Sequence, residues 1–277
     1  QSSYSLSALA GEFLGSTRVE LRVGAIERLS REHPAQLASH AVRDAELSLK
    51  LFESQQCLVR YVEMARVTGV PIDFLLKRGQ SIKVLSMLLR KARAHDFVMP
   101  APGPQTPSED TYEGGAVLDP ITGFYDQPIV TLDFASLYPS IMQAHNLCYT
   151  TLLRASGSSP PADPSGDSVE DVPGLVHRFV ASHVRRGILP LVLEELLTAR
   201  ASAKRAMKSA EGEMKVMLNG RQLALKLSAN SVYGFTGMSV GALPCQAIAA
   251  SVTAYGRRMI ERTAEVVEGA LFKARGF

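Results

Sequence analysis

The sequence predicts a helix-rich α+β protein, and three observations carry that reading. Apolar residues recur at helical spacing through roughly the first 98 positions. After a stretch rich in Pro, Gly and Ser, short runs of β-branched residues replace that period. Two long helical segments then follow, separated by only Glu211-Gly212-Glu213. At 277 residues the chain exceeds what one core usually encloses, so two domains or parts of domains are expected.

In the first region Ala41, Val42, Ala45, Leu49 and Leu51-Phe52 recur at roughly helical spacing, as do Phe74, Leu75, Ile82, Leu85 and Leu88-Leu89. Thr68-Gly-Val-Pro71 breaks the pattern between them. From Met99 to Asp110 no period survives, which is the composition of a linker. Ala116-Val-Leu118 and Ile129-Val-Thr-Leu132 flank the turn signal Asp119-Pro-Ile-Thr-Gly123 and predict a β-hairpin. Ser156 to Pro173, rich in Ser, Pro, Gly and Asp, predicts an exposed loop. Helices are expected over about 189–210 and 214–232, and so short a connection makes them antiparallel neighbours. A further helix is expected over 246–269, and no internal repeat is present.

Composition narrows the function classes. Apolar runs such as Ile188-Leu-Pro-Leu-Val-Leu193 fall short of the roughly 20 residues that span a bilayer. Cys57, Cys148 and Cys245 are far apart, which argues against a local zinc knuckle or a disulfide framework and for a reducing compartment. Net charge is only +3, yet positions 185–226 hold nine Lys/Arg against four Glu. Such a stretch suits either a solvated helix face or phosphate binding. There is no signal peptide, and a first residue of Gln1 within a helical pattern predicts a truncated reading.

Five constellations could carry chemistry. In Thr131-Leu-Asp-Phe-Ala-Ser-Leu-Tyr-Pro-Ser-Ile141, an apolar run delivers Asp133 to the start of a helix. A fixed carboxylate suits a hard cation such as Mg²⁺, and helix-opening N–H groups suit phosphate oxygens. The same aspartate could equally be a helix cap. In Lys226-Leu-Ser-Ala-Asn-Ser-Val-Tyr-Gly234, a helix puts Lys226, Asn230 and Tyr233 on one face, either for a nucleotide or as a snorkelling lysine beside a core tyrosine. Arg200 and Lys204 are spaced i, i+4 on the preceding helix, where solvated surface is the ordinary alternative. His40 and Asp44 form another i, i+4 pair, and Tyr112-Glu-Gly-Gly115 alone would be a common turn.

As complete strings, these segments resemble the motifs of family B DNA polymerases, and the resemblance runs along nearly the whole chain, interrupted mainly at 156–173. Residues 133–141 are similar to motif A, 226–234 to motif B, 112–115 to the YxGG element, and 40–44 to the third exonuclease motif with His40 in place of Tyr. Segments 62–71 and 146–153 resemble one replicative branch of the family more than its sisters. The resemblance implies the end of an RNase H-like exonuclease domain and following helices over 1–98, then a linker with the YxGG element over 99–115. It further implies a first part of the palm sheet over 116–187, an antiparallel two-helix fingers hairpin over 188–234, and a second palm part over 235–277.

By the same resemblance the activity is DNA-templated DNA synthesis from dNTPs, with possible 3′–5′ proofreading. Asp133 and the Phe134 carbonyl would bind Mg²⁺ in a two-metal site, and Asp44 would bind metal in the editing site. Ser136, Leu137, Arg200, Lys204, Lys226 and Asn230 would bind the dNTP, with Tyr138 beneath its sugar. Tyr112, Gly114, Gly115, Tyr233 and Gly234 would meet primer–template DNA. A sliding clamp and accessory subunits are the implied partners, the nucleus the implied location, and no membrane is implicated. The family's second metal-binding aspartate has no counterpart before Phe277, so this stretch alone is expected to be a poor catalyst. The competing reading is a non-catalytic nucleic-acid-binding segment or degenerate paralogue.

Overall fold

The computed structural model describes residues 3–100, 112–153 and 169–274, with side chains through Gly269. Six helices fill the first region: α1 (Leu6–Leu14), α2 (Val23–Glu32), α3 (Pro34–Ser54), α4 (Cys57–Thr68), α5 (Ile72–Lys77) and α6 (Ser81–Ala94). Local chemistry sets their ends. The Ser5 hydroxyl accepts from the Ala8 N–H to cap α1, and Pro34 opens α3 where its missing N–H costs nothing. Gly69, at φ 70°, closes α4 in the left-handed conformation that glycine adopts freely, and Pro71 precedes α5. This is the break expected at 68–71.

The rest of the described chain comprises α7 (Leu137–Ala144), β1 (Leu152–Leu153), β2 (Val169–Asp171), β3 (Arg178–Val180), α8 (Ile188–Ser209), α9 (Gly212–Thr236) and α10 (Gln246–Ala274). The strands form one antiparallel sheet in the order β1-β3-β2, with Leu152 opposite Phe179 and Glu170 opposite Phe179 on the other side. The architecture is thus helix-rich α+β. The α8–α9 hairpin and α10 lie where the periodicity put them, with α10 longer than expected.

Two expectations require correction. Residues 116–132 form no strand: Val117, Ile121, Phe124 and Val130 are exposed, and no strand among the described residues pairs with them. A hairpin with no third element against it is marginal, so β-type composition did not suffice. The expected loop over 156–173 ends in β2, which is recruited by Arg178–Val180 rather than by any period of its own. The linker residues 101–110 and most of that loop, 154–168, lie outside the described residues.

One core joins the two regions. Val84, Met87 and Leu88 of α6 pack in the same buried cluster as Ile141 of α7, Phe179 of β3, Leu189 and Leu193 of α8, Val232 of α9 and Val252 of α10. Burying each such side chain stabilises the fold by about 1.5–3 kcal/mol. α9 lies between α8 and α4, and it approaches α4 closely because Gly220 has no side chain: a Cβ there would sit 3.3 Å from Val59 Cγ1.

Asn146 fixes where α8 begins. Its side chain is fully buried, and Nδ2 donates to the Val180 carbonyl (2.7 Å) and the Arg185 carbonyl (2.8 Å). Oδ1 accepts from the Gly187 N–H at 2.8 Å, at the N-cap of α8. Gly187 is required there, since a Cβ would lie 2.5 Å from Cys148 Cβ. Asn146→Ala removes three hydrogen bonds to backbone groups, two of them buried, and should cost about 3 kcal/mol or more, read from denaturant unfolding. Asn146→Asp turns an oxygen toward two carbonyls and should cost at least as much. A loss under about 1 kcal/mol for both would show that water replaces the amide.

Candidate functional site

The site is built around the entry to α7. Residues 129–133 arrive unpaired, and Asp133 is exposed, with no hydrogen bond or ion pair among the described residues. The expected strand beneath Asp133 is absent for the reason given above. Ser136 then adopts φ 53°, ψ 52°, a left-handed turn that starts the helix without a side-chain cap. The N–H groups of Leu137 and Tyr138 are among the orphan donors of that first turn, and Pro139 has none to offer. A helix start with uncapped donors beside an exposed carboxylate suits a phosphate together with a cation. Phe134 lines a cavity of about 390 Å³ with His145, Tyr255, Arg258 and Arg262.

Three segments far apart in sequence meet next to this corner. The rings of Tyr138 and Tyr233 are 4.4 Å apart, tilted by 44°. The Tyr233 hydroxyl lies 3.3 Å from that of Tyr112, so the 112–115 segment, the start of α7 and the end of α9 are in contact. Burial, followed by the Tyr112 hydrogen bond, pushes the Tyr233 phenol well above its ordinary value, so it stays neutral. Gly115 passes so close to Tyr138 that a Cβ there would sit 3.0 Å from the Tyr138 hydroxyl. Gly114 and Gly234 are exposed, and a Cβ at either would meet nothing, so close approach is not what places glycine there.

The cations form a stripe leading to the tyrosines. Arg200 of α8 reaches across to α9, where its Nε donates to Gln222 Oε1 at 3.5 Å. Gln222, Lys226, Asn230 and Tyr233 follow one face of α9 at helical spacing. Lys226 and Asn230 are exposed and border a cavity of about 310 Å³ with Arg60 and Met64 of α4. Lys204 is exposed one turn beyond Arg200.

Asp44 stands elsewhere, in an ion pair. Arg18 Nε donates to its Oδ1 and Arg18 Nη2 to its Oδ2, both at 2.7 Å. This bidentate pair engages one lone pair on each carboxylate oxygen, so Asp44 as placed is committed to Arg18. Among the described residues no three His, Cys, Asp or Glu side chains gather closely enough to hold a metal ion. Sequence reasoning missed Arg18, Gln222 and Arg60, each of which acts through contacts that no local pattern records.

These features accord with comparisons to known proteins. The sequence profile of DNA polymerase family B matches residues 70–275, and the chain belongs to that family. It is 51% identical over 270 residues to the DNA polymerase delta catalytic subunit of Schizosaccharomyces pombe, covering 96% of this chain and 25% of that protein. Identity to the DNA polymerase delta catalytic subunit of Oryza sativa is 50% over 276 residues, covering 96% and 24%. For that of Plasmodium falciparum it is 44% over 281 residues, covering 99% and 26%. The chain thus spans about a quarter of the length of these relatives. In three dimensions it is similar to the family B DNA polymerase of Pyrobaculum calidifontis, with a TM-score of 0.77 and 28% identity, covering 95% of this chain and 34% of that one.

The Arg18–Asp44 pair makes a pH-dependent contribution. The Arg18 hydrogen bond holds the Asp44 carboxyl below its ordinary range. The stabilisation is therefore present above the unfolded value and is lost as pH falls through the lower, folded one. Asp44→Asn should lower the thermal midpoint at neutral pH, and the gap to the parent should close only as pH falls below the ordinary carboxylate range. A gap that stays constant over that range would show that charge pairing contributes nothing.

Proposed function

We propose that this chain carries the nucleotide-binding part of the polymerising site of a replicative DNA-directed DNA polymerase, of the delta catalytic subunit kind. The supporting observation is the meeting of Tyr112, Tyr138 and Tyr233 beside the uncapped start of α7, in a family B chain. The reaction is attack of a primer 3′-hydroxyl on the α-phosphate of a dNTP, releasing pyrophosphate. Palm, fingers and exonuclease parts follow the boundaries given above, with α8 and α9 as fingers. Primer–template DNA and dNTPs are the substrates, a clamp and accessory subunits the partners of the whole protein, and the nucleus its place of action. No helix among the described residues is long and apolar enough to cross a membrane.

In this reading the triphosphate rests on the Ser136 and Leu137 N–H groups, with Arg200, Lys204, Lys226 and Asn230 closing over it. Fixed donors and cations contribute by meeting charge on the transferring group without reorganising. Tyr138 lies under the sugar and leaves no room for a 2′-hydroxyl, while Tyr112, Gly114, Gly115, Tyr233 and Gly234 face the primer–template. Asp133 and the Phe134 carbonyl are hard oxygen donors suited to Mg²⁺, which would offset phosphate charge when bound. A single carboxylate is half of a two-metal site, so the rest must come from outside the described residues. Editing by the whole protein would require Arg18 to release Asp44, with His40 in the position of the usual tyrosine.

In the full-length protein, Asp133→Asn should reduce incorporation by more than the ~10²–10³ of one lost transition-state donor, with primer–template affinity nearly intact. Activity within about tenfold of the parent would show that Asp133 is not a metal ligand, since removing a true metal ligand costs far more. Lys226→Ala and Arg200→Ala should each raise the dNTP KM about 10-fold or more, as expected for a charge-assisted contact. Gln222→Ala should reproduce part of the Arg200 effect by freeing its guanidinium. If these variants instead weaken duplex binding and flatten its salt dependence, the stripe follows the DNA backbone.

A further inference from the structure

α10 holds a glycine, Gly256, well inside the helix, where glycine costs about 1 kcal/mol relative to alanine. A Cβ there would sit 3.4 Å from Tyr138 Cε1 and 3.8 Å from Ile141 Cδ1, so the Tyr138 ring lies directly on this stretch of backbone. Tyr233 also packs against the ring, and Gly115 approaches its hydroxyl end. The next residue of α10, Arg257, fixes that last neighbour. Its Nη1 donates to the Glu113 carbonyl (2.9 Å) and the Gly114 carbonyl (2.6 Å), and its Nη2 lies 3.1 Å from the Glu113 carboxylate. The Thr253 hydroxyl, one turn earlier, donates to the same Glu113 carbonyl at 2.8 Å. One helix therefore supplies the floor under Tyr138 and clamps the wall beside its hydroxyl.

We propose that Arg257 and Thr253 are positioning residues for sugar selection: by holding the 113–114 backbone they keep Gly115 against Tyr138, so that the ring cannot retreat from a 2′-hydroxyl. This rests on the reading of Tyr138 as the residue beneath the nucleotide sugar. Selection by exclusion is only as strong as the resistance of the excluding group, because a small displacement relieves most of a steric clash. The Tyr138 side chain carries no hydrogen bond or ion pair among the described residues, so its resistance comes from its neighbours. Arg257 is not free to serve as a phosphate ligand, since its side chain is 18% exposed and committed to three acceptors.

The test measures kcat/KM for a dNTP and the matching rNTP in the full-length polymerase, for the parent, Arg257→Ala, Arg257→Lys, Thr253→Val and Tyr138→Ala. Arg257→Ala should lower the dNTP/rNTP ratio about 10-fold, the scale of a lost charge-assisted contact, mainly by improving rNTP use. Arg257→Lys, which keeps a donor for the carbonyls, should recover part of the ratio. Thr253→Val, nearly isosteric, should shift it in the same direction by a smaller factor and guards against misfolding of the Arg257 variants. If Tyr138→Ala relaxes selection while the α10 variants slow both nucleotides equally, the clamp is merely structural and the proposal is overturned. If Tyr138→Ala leaves the ratio unchanged, the underlying reading of Tyr138 fails, and the proposal fails with it.

Discussion

The side chain of Asn146 satisfies two carbonyls and one N–H from the segment that enters α8, and it does so with its own backbone in a left-handed turn at φ 51°. Its own carbonyl accepts from the Thr151 hydroxyl at 2.6 Å, so the turn after α7 is fixed from both sides. This small polar knot sets the distance between the end of α7 and the start of α8. The direction of α8 then determines where Arg200 emerges, and through the α8–α9 hairpin it determines where Asn230 and Tyr233 return. A buried amide with each polar atom used confers that definiteness, because the alternatives leave unpaired groups in the core.

The second constraint is α10. Its residues 248–256 are buried without a break, and it contacts both α7 and α9, which carry Tyr138 and Tyr233. The Tyr112–Gly115 segment has no regular structure of its own, and α10 holds it through Thr253 and Arg257. The candidate site is therefore rigid on its aromatic side and open on its charged side. Such a division suits a pocket whose shape must not yield while its phosphate end exchanges ligand and pyrophosphate.

Much of the fold could be read from the sequence because helices write their period into it. Gly69 and Pro71 marked the end of α4 and the start of α5, and Glu211-Gly212-Glu213 marked the hairpin between α8 and α9. The motif strings located Asp133, Tyr138 and Tyr233, and the structure brings the two tyrosines together. The β elements were misread in both directions. Ile129 to Leu132 has strand composition but no ladder partner, since β propensity describes fit to a half-buried surface rather than an intrinsic preference. β2 and β3 are three residues each, too short to show alternation. Arg18, Gln222 and Arg257 were invisible because each acts on a partner 22 to 144 positions away. Gly256 alone among these left a trace: a glycine inside a helical run calls for a packing reason.

The central claim is that the uncapped start of α7, the Arg200–Lys226 stripe and Tyr138 together form one dNTP pocket. A structure of the full-length protein with primer–template and a non-hydrolysable dNTP tests it most directly. The account predicts the triphosphate within hydrogen-bonding distance of the Ser136 and Leu137 N–H groups, with Arg200 and Lys226 upon it and the sugar over the Tyr138 ring. A nucleotide bound elsewhere, or Arg200 and Lys226 lying on the DNA backbone with α7 vacant, would contradict it.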